Sequence, residues 1–208
     1  MSLQSFHTIA KEAEWEQTID KSRFIGVVCP VRDVQEVEAC LERVRARYPN
    51  ARHYVYAYRL LQGNMEKATD DGEPQGTGGR PVLDILQHRR LWNVLLVVVR
   101  YFGGILLGTG GLTRAYGGTA RNLIEQARVE HLVAHVVYTL TIPYGLFDTL
   151  KYQLDLHGWD SGRTEYTEAV RLEVYVPSTG TTEFETWLES FAGRQITFEQ
   201  SGQLWRAD

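Results

Sequence analysis

The sequence has 208 residues and a formal net charge of −4, with 43% hydrophobic and 23% charged residues. These values are typical of a globular chain that buries a core, and no apolar run reaches the roughly 18 residues of a membrane-spanning helix. The N-terminus has no basic segment followed by an apolar one, so we expect a cytoplasmic protein with no membrane partner. The acidic net charge argues against a general nucleic-acid binder, so the distribution of charge matters more than its sum.

The first part of the chain predicts a hairpin, a helix and a further strand. The hairpin is expected over residues 14–31, with β-forming bulk in its second strand at 22–30. Asp33 is expected to cap a helix whose apolar residues recur at spacings of three and four and which ends at Pro49. A strand rich in aromatic residues follows at 53–60.

The next part predicts a polar loop, a short helix, a buried strand and a long helix. Residues 64–81 have no apolar period and are expected to form a loop, followed by a short helix at 81–88. Residues 91–102 are a continuous apolar run, typical of a strand that is buried on both faces. The helix is expected at 110–128, with its arginines opposite its apolar side, at Arg114, Arg121 and Arg128.

Beyond residue 134 the pattern becomes strand, helix, strand, strand, helix, strand, which is the ferredoxin-like βαββαβ order. The charge changes at the same place, from a net +2 over residues 1–133 to a net −6 over residues 134–208. The sequence therefore predicts an α+β protein with two domains, 1–133 and 134–208.

Seven glycines fall within residues 97–118, between the buried strand and the long helix. Backbone N–H groups in such a position capture anions at a helix N-terminus. The spacing matches neither a dinucleotide-binding fingerprint nor a P-loop. Glycines that merely permit positive φ or a close backbone approach are the alternative. We predict a ligand or partner surface, and its residues are Gly103, Gly104, Gly108, Gly110 and Gly111.

The loop that precedes the short helix holds three carboxylates, Asp70, Asp71 and Glu73. They have two alternative uses: to bind a metal such as Mg²⁺, or to form a solvated turn in which Asp accepts hydrogen bonds from its own backbone. Arg100, at the end of the buried strand, needs a charged partner. Asp70 or Asp71 is expected to supply it, which would join the two loops into one structure.

A basic face is a further prediction, with aromatic residues such as Tyr101 available for stacking on bases. Its cationic residues are Lys21, Arg23, Arg100, Arg114 and Arg121. Scattered surface arginines are the alternative. Cys29 and Cys40 are expected to be buried thiols, because neither has a second Cys at metal-binding spacing. No convincing catalytic residue and no cofactor are predicted.

Three segments, KSRFIG at 21–26, TDDGEPQGTGGRP at 69–81 and VVVRYFGGILLGTGGLTRAYGG at 97–118, resemble the Impact family, most closely its bacterial YigZ-type members. The resemblance implies an N-terminal α/β sandwich like the second domain of ribosomal protein S5 and the fourth domain of translocase elongation factors. It also implies a C-terminal domain like the fifth domain of those factors. Eukaryotic members bind the Gcn-type activator of a translation-initiation-factor kinase, but they carry an accessory domain that is absent here.

These observations predict a translation-associated, non-catalytic protein that binds RNA or the ribosome through the glycine-rich, arginine-flanked surface. The alternative is an enzyme or small-ligand protein in which Asp70, Asp71 and Glu73 hold a metal while the amides of residues 108–111 hold a phosphate. A third possibility is a domain that docks a protein partner on the same surface.

Overall fold

The computed structural model describes residues 4–193 and 195–207 and divides the chain into two compact units. The N-terminal unit is Phe6–His131. The C-terminal unit contains the described residues from Leu132 onward, together with Gln4 and Ser5. In the described part of the chain, no helix has the length and apolarity needed to cross a membrane.

The N-terminal part of the chain is built on an antiparallel sheet of five strands. Its elements are β1 (Ser5–Ile9), β2 (Ala13–Ile19), β3 (Ser22–Pro30), α1 (Val34–Arg47), β4 (His53–Leu60), a short 3₁₀ turn (Gln62–Asn64), β5 (Met65–Thr69), α2 (Gly79–His88), β6 (Val94–Tyr101) and α3 (Gly108–Gln126). The strand order of the sheet is β2-β3-β6-β4-β5. The central position of β6 explains its apolar sequence, because it is covered on both faces.

The helices cover the two faces of this sheet, α2 and α3 on one side and α1 on the other. Side chains alternate between the faces along each strand. Phe24 and Val98 pack with α2 and α3, whereas Ile25 and Val97 pack with α1. The result is a three-layer unit with a separate apolar core on each side of the sheet.

The N-termini of α1 and α3 differ in how they are capped. Asp33 caps α1 as predicted, since its Oδ1 accepts a hydrogen bond of 2.8 Å from the N–H of Glu36. Helix α3 begins at Gly108, two residues before the predicted start, and no described side chain caps its N-terminus. The N–H groups of its first turn therefore lack side-chain partners.

Two strands were not predicted. β5 lies inside the stretch that we expected to be a loop, and β1 was missed at the N-terminus. β5 is an edge strand whose residues are mostly exposed, so its sequence carries no apolar alternation from which to recognise it.

The C-terminal part of the chain has the predicted βαββαβ order. Its elements are β7 (Val129–Ile142), α4 (Tyr144–Leu156), β8 (Asp160–Tyr166), β9 (Val170–Pro177), α5 (Thr181–Ala192) and β10 (Thr197–Ala207). The sheet order is β1-β7-β9-β8, and β10 also pairs with β7. Its core packs Leu150 and Leu154 of α4 and Phe184 and Leu188 of α5 against the sheet. The predicted α+β fold class is confirmed.

Candidate functional site

A buried ion pair joins the acidic loop to the end of the central strand. Nη1 of Arg100 lies 2.6 Å from Oε1 of Glu73, and the two side chains are only 6% and 4% exposed. Our expectation that Asp70 or Asp71 would pair with Arg100 was wrong. Glu73 is the partner, and Arg100 is therefore enclosed and takes no part in an exposed basic face.

Other side chains complete the surroundings of Glu73. The hydroxyl of Tyr116 on α3 donates a 2.7 Å hydrogen bond to Oε1 of Glu73, and Nε2 of His53 lies 3.7 Å from the same oxygen. Burial, followed by this hydrogen bond to a carboxylate, raises the pKa of Tyr116 above its ordinary value. The two loops thus form one structure, as expected, although the sequence did not indicate that His53 takes part.

Asp70 organises the turn that leads into α2. Its carboxylate accepts hydrogen bonds from the backbone N–H groups of Gly76, Gly78 and Gly79 at 2.8, 2.9 and 2.8 Å. Partial burial alone would raise the pKa of Asp70, but the three N–H groups outweigh it and lower the pKa below its usual value. Asp70 has the role of a carboxylate that accepts from its own backbone.

The three carboxylates do not converge on one point. Oδ2 of Asp71 accepts a 2.6 Å hydrogen bond from the N–H of Tyr54, while Nδ1 of His53 donates to the Asp71 carbonyl oxygen at 2.7 Å. Asp70, Asp71 and Glu73 therefore point to three different sets of protein partners. Within residues 4–193 and 195–207, they are not among the side chains that gather three ligand atoms within binding distance. The arrangement therefore does not favour the metal-binding alternative, because neighbours in a tight loop need not share a direction.

The predicted basic face also requires correction, because its members lie in different places. Arg23 pairs in register with Tyr101, and both belong to the positions that face α1 rather than α2 and α3. Arg23 forms an exposed ion pair of 2.6 Å with Glu16. Lys21 lies in the β2–β3 turn with a φ of 63°. Strand alternation therefore places Arg23 and Tyr101 on the face of the sheet opposite α3 and its arginines.

The glycines between β6 and α3 differ in whether the backbone requires glycine at their position. A side chain at Gly103 would collide with the backbone of Lys21 and Ser22, and the Gly103 N–H donates to Oγ of Ser22 at 3.1 Å. The remaining predicted glycines are exposed or half-buried, namely Gly104, Gly108, Gly110 and Gly111. Close backbone approach therefore accounts for Gly103, and positive φ angles of 87° and 66° account for Gly104 and Gly108. Gly110 and Gly111 lie in the first turn of α3.

A groove runs between α2 and α3, with a volume of about 700 Å³. Each helix contributes residues at spacings of three and four, so one stripe of each helix faces the groove. The lining residues are Pro81, Asp84, Ile85, His88 and Arg89 from α2 and its end, and Thr113, Arg114, Gly117, Gly118 and Arg121 from α3. Two predicted site residues, Arg114 and Arg121, thus line one surface.

The arginines of this groove differ in their partners. On the α2 side Arg89 pairs with Glu125 at 3.0 Å, and Arg80 pairs with the groove residue Asp84 at 2.7 Å. Arg114 and Arg121 are exposed and form no ion pair with any described residue. Arg114 also lies over the first turn of α3, because a side-chain carbon placed at Gly110 would lie 3.4 Å from its Nη1.

An exposed apolar segment adjoins the N-terminus of α3. Phe102, Ile105 and Leu106 are 47%, 42% and 88% exposed. Single exposed apolar residues are normal on protein surfaces, but three within five positions form a local patch. Phe102 was expected to serve as a stacking residue beside the basic face, whereas the sequence predictions missed Ile105 and Leu106.

Comparison with known proteins places these features in a family. The Impact N-terminal domain matches residues 20–124, and a domain of unknown function, DUF1949, matches residues 140–193. The chain is 36% identical over 188 residues to the IMPACT family member YvyE of Bacillus subtilis, covering 89% of this chain and 86% of that protein. It is 35% identical over 181 residues to the IMPACT family member YigZ of Escherichia coli, covering 85% and 88%.

A more distant relative and a solved structure are also similar to this chain. Human Protein IMPACT is 34% identical over 112 residues, which is 51% of this chain and 34% of the human protein. A crystal structure described as that of a hypothetical protein superposes with a TM-score of 0.65 at 31% identity, covering 97% of this chain and 99% of the other. Because the first domain alone spans half of the chain and the bacterial relatives align over most of it, this chain belongs to the IMPACT family.

Proposed function

We propose that this protein binds RNA through the groove between α2 and α3, as a non-catalytic component of translation. The observation that carries the proposal is the pair of exposed arginines on α3 that lack a carboxylate partner while facing an open groove. In a protein with a net charge of −4, two uncompensated cations on one helix face favour an anionic ligand.

The spacing of these arginines suits a polyanion. Arg114 and Arg121 are seven residues apart, which is about 10 Å along a helix axis. Two cations separated in this way contact two phosphates of one strand. Arg114 also lies beside the uncapped N–H groups at the N-terminus of α3, and such N–H groups favour binding of a phosphate. His88 on α2 lines the same groove and offers a ring for base stacking.

The proposal predicts that RNA binding depends on salt and on both arginines. The double variant Arg114→Glu, Arg121→Glu is expected to weaken binding of single-stranded RNA at least tenfold. It is also expected to reduce the slope of log K against log salt by about 1.4, since each lost phosphate contact removes about 0.7. Fluorescence anisotropy of labelled oligonucleotides over a salt series measures both quantities.

The matched control is the double variant Arg45→Glu, Arg52→Glu. These residues are also exposed, and the change in net charge is the same. Arg45 belongs to α1, on the other side of the sheet, and stacks over the ring of Tyr54. Equal losses of affinity in the two double variants would show that only total charge matters, and the proposed groove would be rejected.

A protein partner is a second candidate function, favoured by the exposed apolar segment of Phe102, Ile105 and Leu106. Ribosome pull-downs with and without ribonuclease separate the two candidates. Capture that survives ribonuclease but disappears in Leu106→Asp supports protein docking. Capture that is lost on ribonuclease treatment supports RNA binding.

A further inference from the structure

We infer that Glu12, Cys29 and Cys40 form a binding site for a zinc-class transition metal ion. The three residues come from different elements: Glu12 precedes β2, Cys29 belongs to β3 and Cys40 belongs to α1. One carboxylate oxygen and the two sulfur atoms all lie within 4.8 Å of one another. This is the group in the described part of the chain that gathers three potential ligands.

The distances fit tetrahedral coordination. With Zn–S bonds of about 2.3 Å and Zn–O bonds of about 2.1 Å, the ligand atoms of a tetrahedral site lie roughly 3.5 to 3.8 Å apart. Sγ of Cys29 and Oε2 of Glu12 are already 3.6 Å apart. The other two separations are at most 4.8 Å, so side-chain rotations that shorten them by about 1 Å place all three atoms around one ion.

The ligand types select the kind of metal. Two thiolates and one carboxylate favour zinc and its chemical analogues over Mg²⁺ or Ca²⁺, which prefer all-oxygen sites. Both cysteines are only 1% exposed and are enclosed by the apolar core between α1 and the sheet. The Glu12 side chain is 39% exposed, so water reaches one side of the group and can supply a fourth ligand.

The neighbouring charges are compatible with a divalent cation. Arg47 and Arg43 lie 3.0 and 3.5 Å from the carboxylate of Glu12 and hold it in place. A divalent ion that displaces two thiol protons leaves the local net charge unchanged, so these guanidinium groups meet no added positive charge.

The spacing of the cysteines in the sequence did not predict this site. Cys29 and Cys40 are eleven residues apart, with no second Cys or His at the short spacings of known zinc motifs. Their proximity arises from packing α1 against β3, and Glu12 joins them because β2 pairs with β3.

The test is a titration of the chelator-treated, phosphine-reduced full-length protein with Co²⁺, followed by Zn²⁺. We expect one equivalent of Co²⁺ to produce a thiolate-to-cobalt charge-transfer absorption band, which Zn²⁺ then removes. Cys29→Ala and Cys40→Ala are each expected to abolish the band. Glu12→Gln, a surface change that spares the core, is expected to weaken Co²⁺ binding about tenfold or more.

The matched control is Glu14→Gln. Glu14 shares Arg47 with Glu12, at 3.1 Å, but lies outside the ligand group, so its substitution is expected to leave the band unchanged. Reduced wild-type protein without a charge-transfer band overturns the proposal. So does a band that persists in Glu12→Gln at unchanged Co²⁺ affinity. If peroxide oxidises the two thiols to a disulfide while the reduced protein gives no band, the pair serves redox chemistry and the metal site is rejected.

Discussion

At the scale of single residues, the Arg100–Glu73 pair connects the two loops beside the groove. Arg100 ends the central strand, Glu73 belongs to the acidic loop, and Tyr116 brings α3 to the same carboxylate. Nε of Arg100 is buried and has no hydrogen-bond partner among the described residues. The guanidinium therefore depends on Glu73 for charge compensation, because an isolated buried charge is strongly unfavourable.

Removing Glu73 is expected to be costly. Glu73→Gln leaves Arg100 buried without a counter-charge and should lower the free energy of unfolding by about 3 to 5 kcal/mol. The double variant Glu73→Leu, Arg100→Met removes both charges and should recover most of the loss. Urea unfolding at pH 7 measures these values. The same substitution in the exposed pair, Glu16→Gln, should cost less than about 1 kcal/mol, and an equal loss at both positions would contradict the argument.

The sequence indicated part of this arrangement. An arginine at the end of a buried strand predicted a charged partner, and the partner was found in the expected loop. The identity of that partner was not predictable, because the path of an irregular loop depends on tertiary contacts such as those of Asp70. The alternation of β6 did carry information that was overlooked: Arg100 and Tyr101 are consecutive, so they cannot share a face of the sheet.

At the scale of secondary-structure elements, the start of α2 depends on Asp70. Gly78 caps the helix without a side-chain hydrogen bond, and Asp70 supplies the missing acceptor from eight residues earlier in the chain. A side chain at Gly79 would lie 2.7 Å from the backbone of Thr69, so β5 and α2 meet through bare backbone. This junction fixes one wall of the groove, and no local cap residue in the sequence revealed it.

The hydrogen bonds of Asp70 predict a pH-dependent stability. At pH 7, Asp70→Asn should lower the free energy of unfolding by about 1.5 to 3 kcal/mol, since the amide replaces a charged acceptor. The folded state lowers the pKa of Asp70, so its contribution is complete above the unfolded-state pKa of about 3.9 and is lost as the pH falls through the folded-state pKa.

The difference in the free energy of unfolding between wild type and Asp70→Asn should therefore become smaller below about pH 4. Chemical unfolding of both proteins between pH 7 and pH 2 measures it. Asp84→Asn is the control, because Asp84 is a surface carboxylate of α2 paired with Arg80. If the free energies of unfolding of wild type and Asp70→Asn instead move further apart as the pH falls, the role given to Asp70 is refuted.

At the scale of the whole molecule, the two units have separate hydrophobic cores. Both core clusters of the N-terminal unit draw on residues between Ile9 and Ala127, and the C-terminal cluster draws on residues between Val136 and Phe198. The change in strand pattern and net charge near residue 134 indicated this division. The Glu12–Cys29–Cys40 cluster could not be predicted from the sequence, because it depends on how α1 packs against the sheet.

We therefore propose domain limits of 1–133 and 134–208 and predict that each fragment folds alone. Each should unfold in urea with a single sigmoidal transition, because each retains a complete apolar core. The C-terminal fragment loses β1, which pairs with β7, and also loses the pairing of Leu132 and Val133 with β10. Neither loss removes a residue of its apolar core, which begins at Val136. The N-terminal fragment contains the whole groove and should keep the RNA affinity of the full chain. A gradual, non-cooperative urea curve for either fragment would contradict these limits, and circular dichroism is sufficient to detect it.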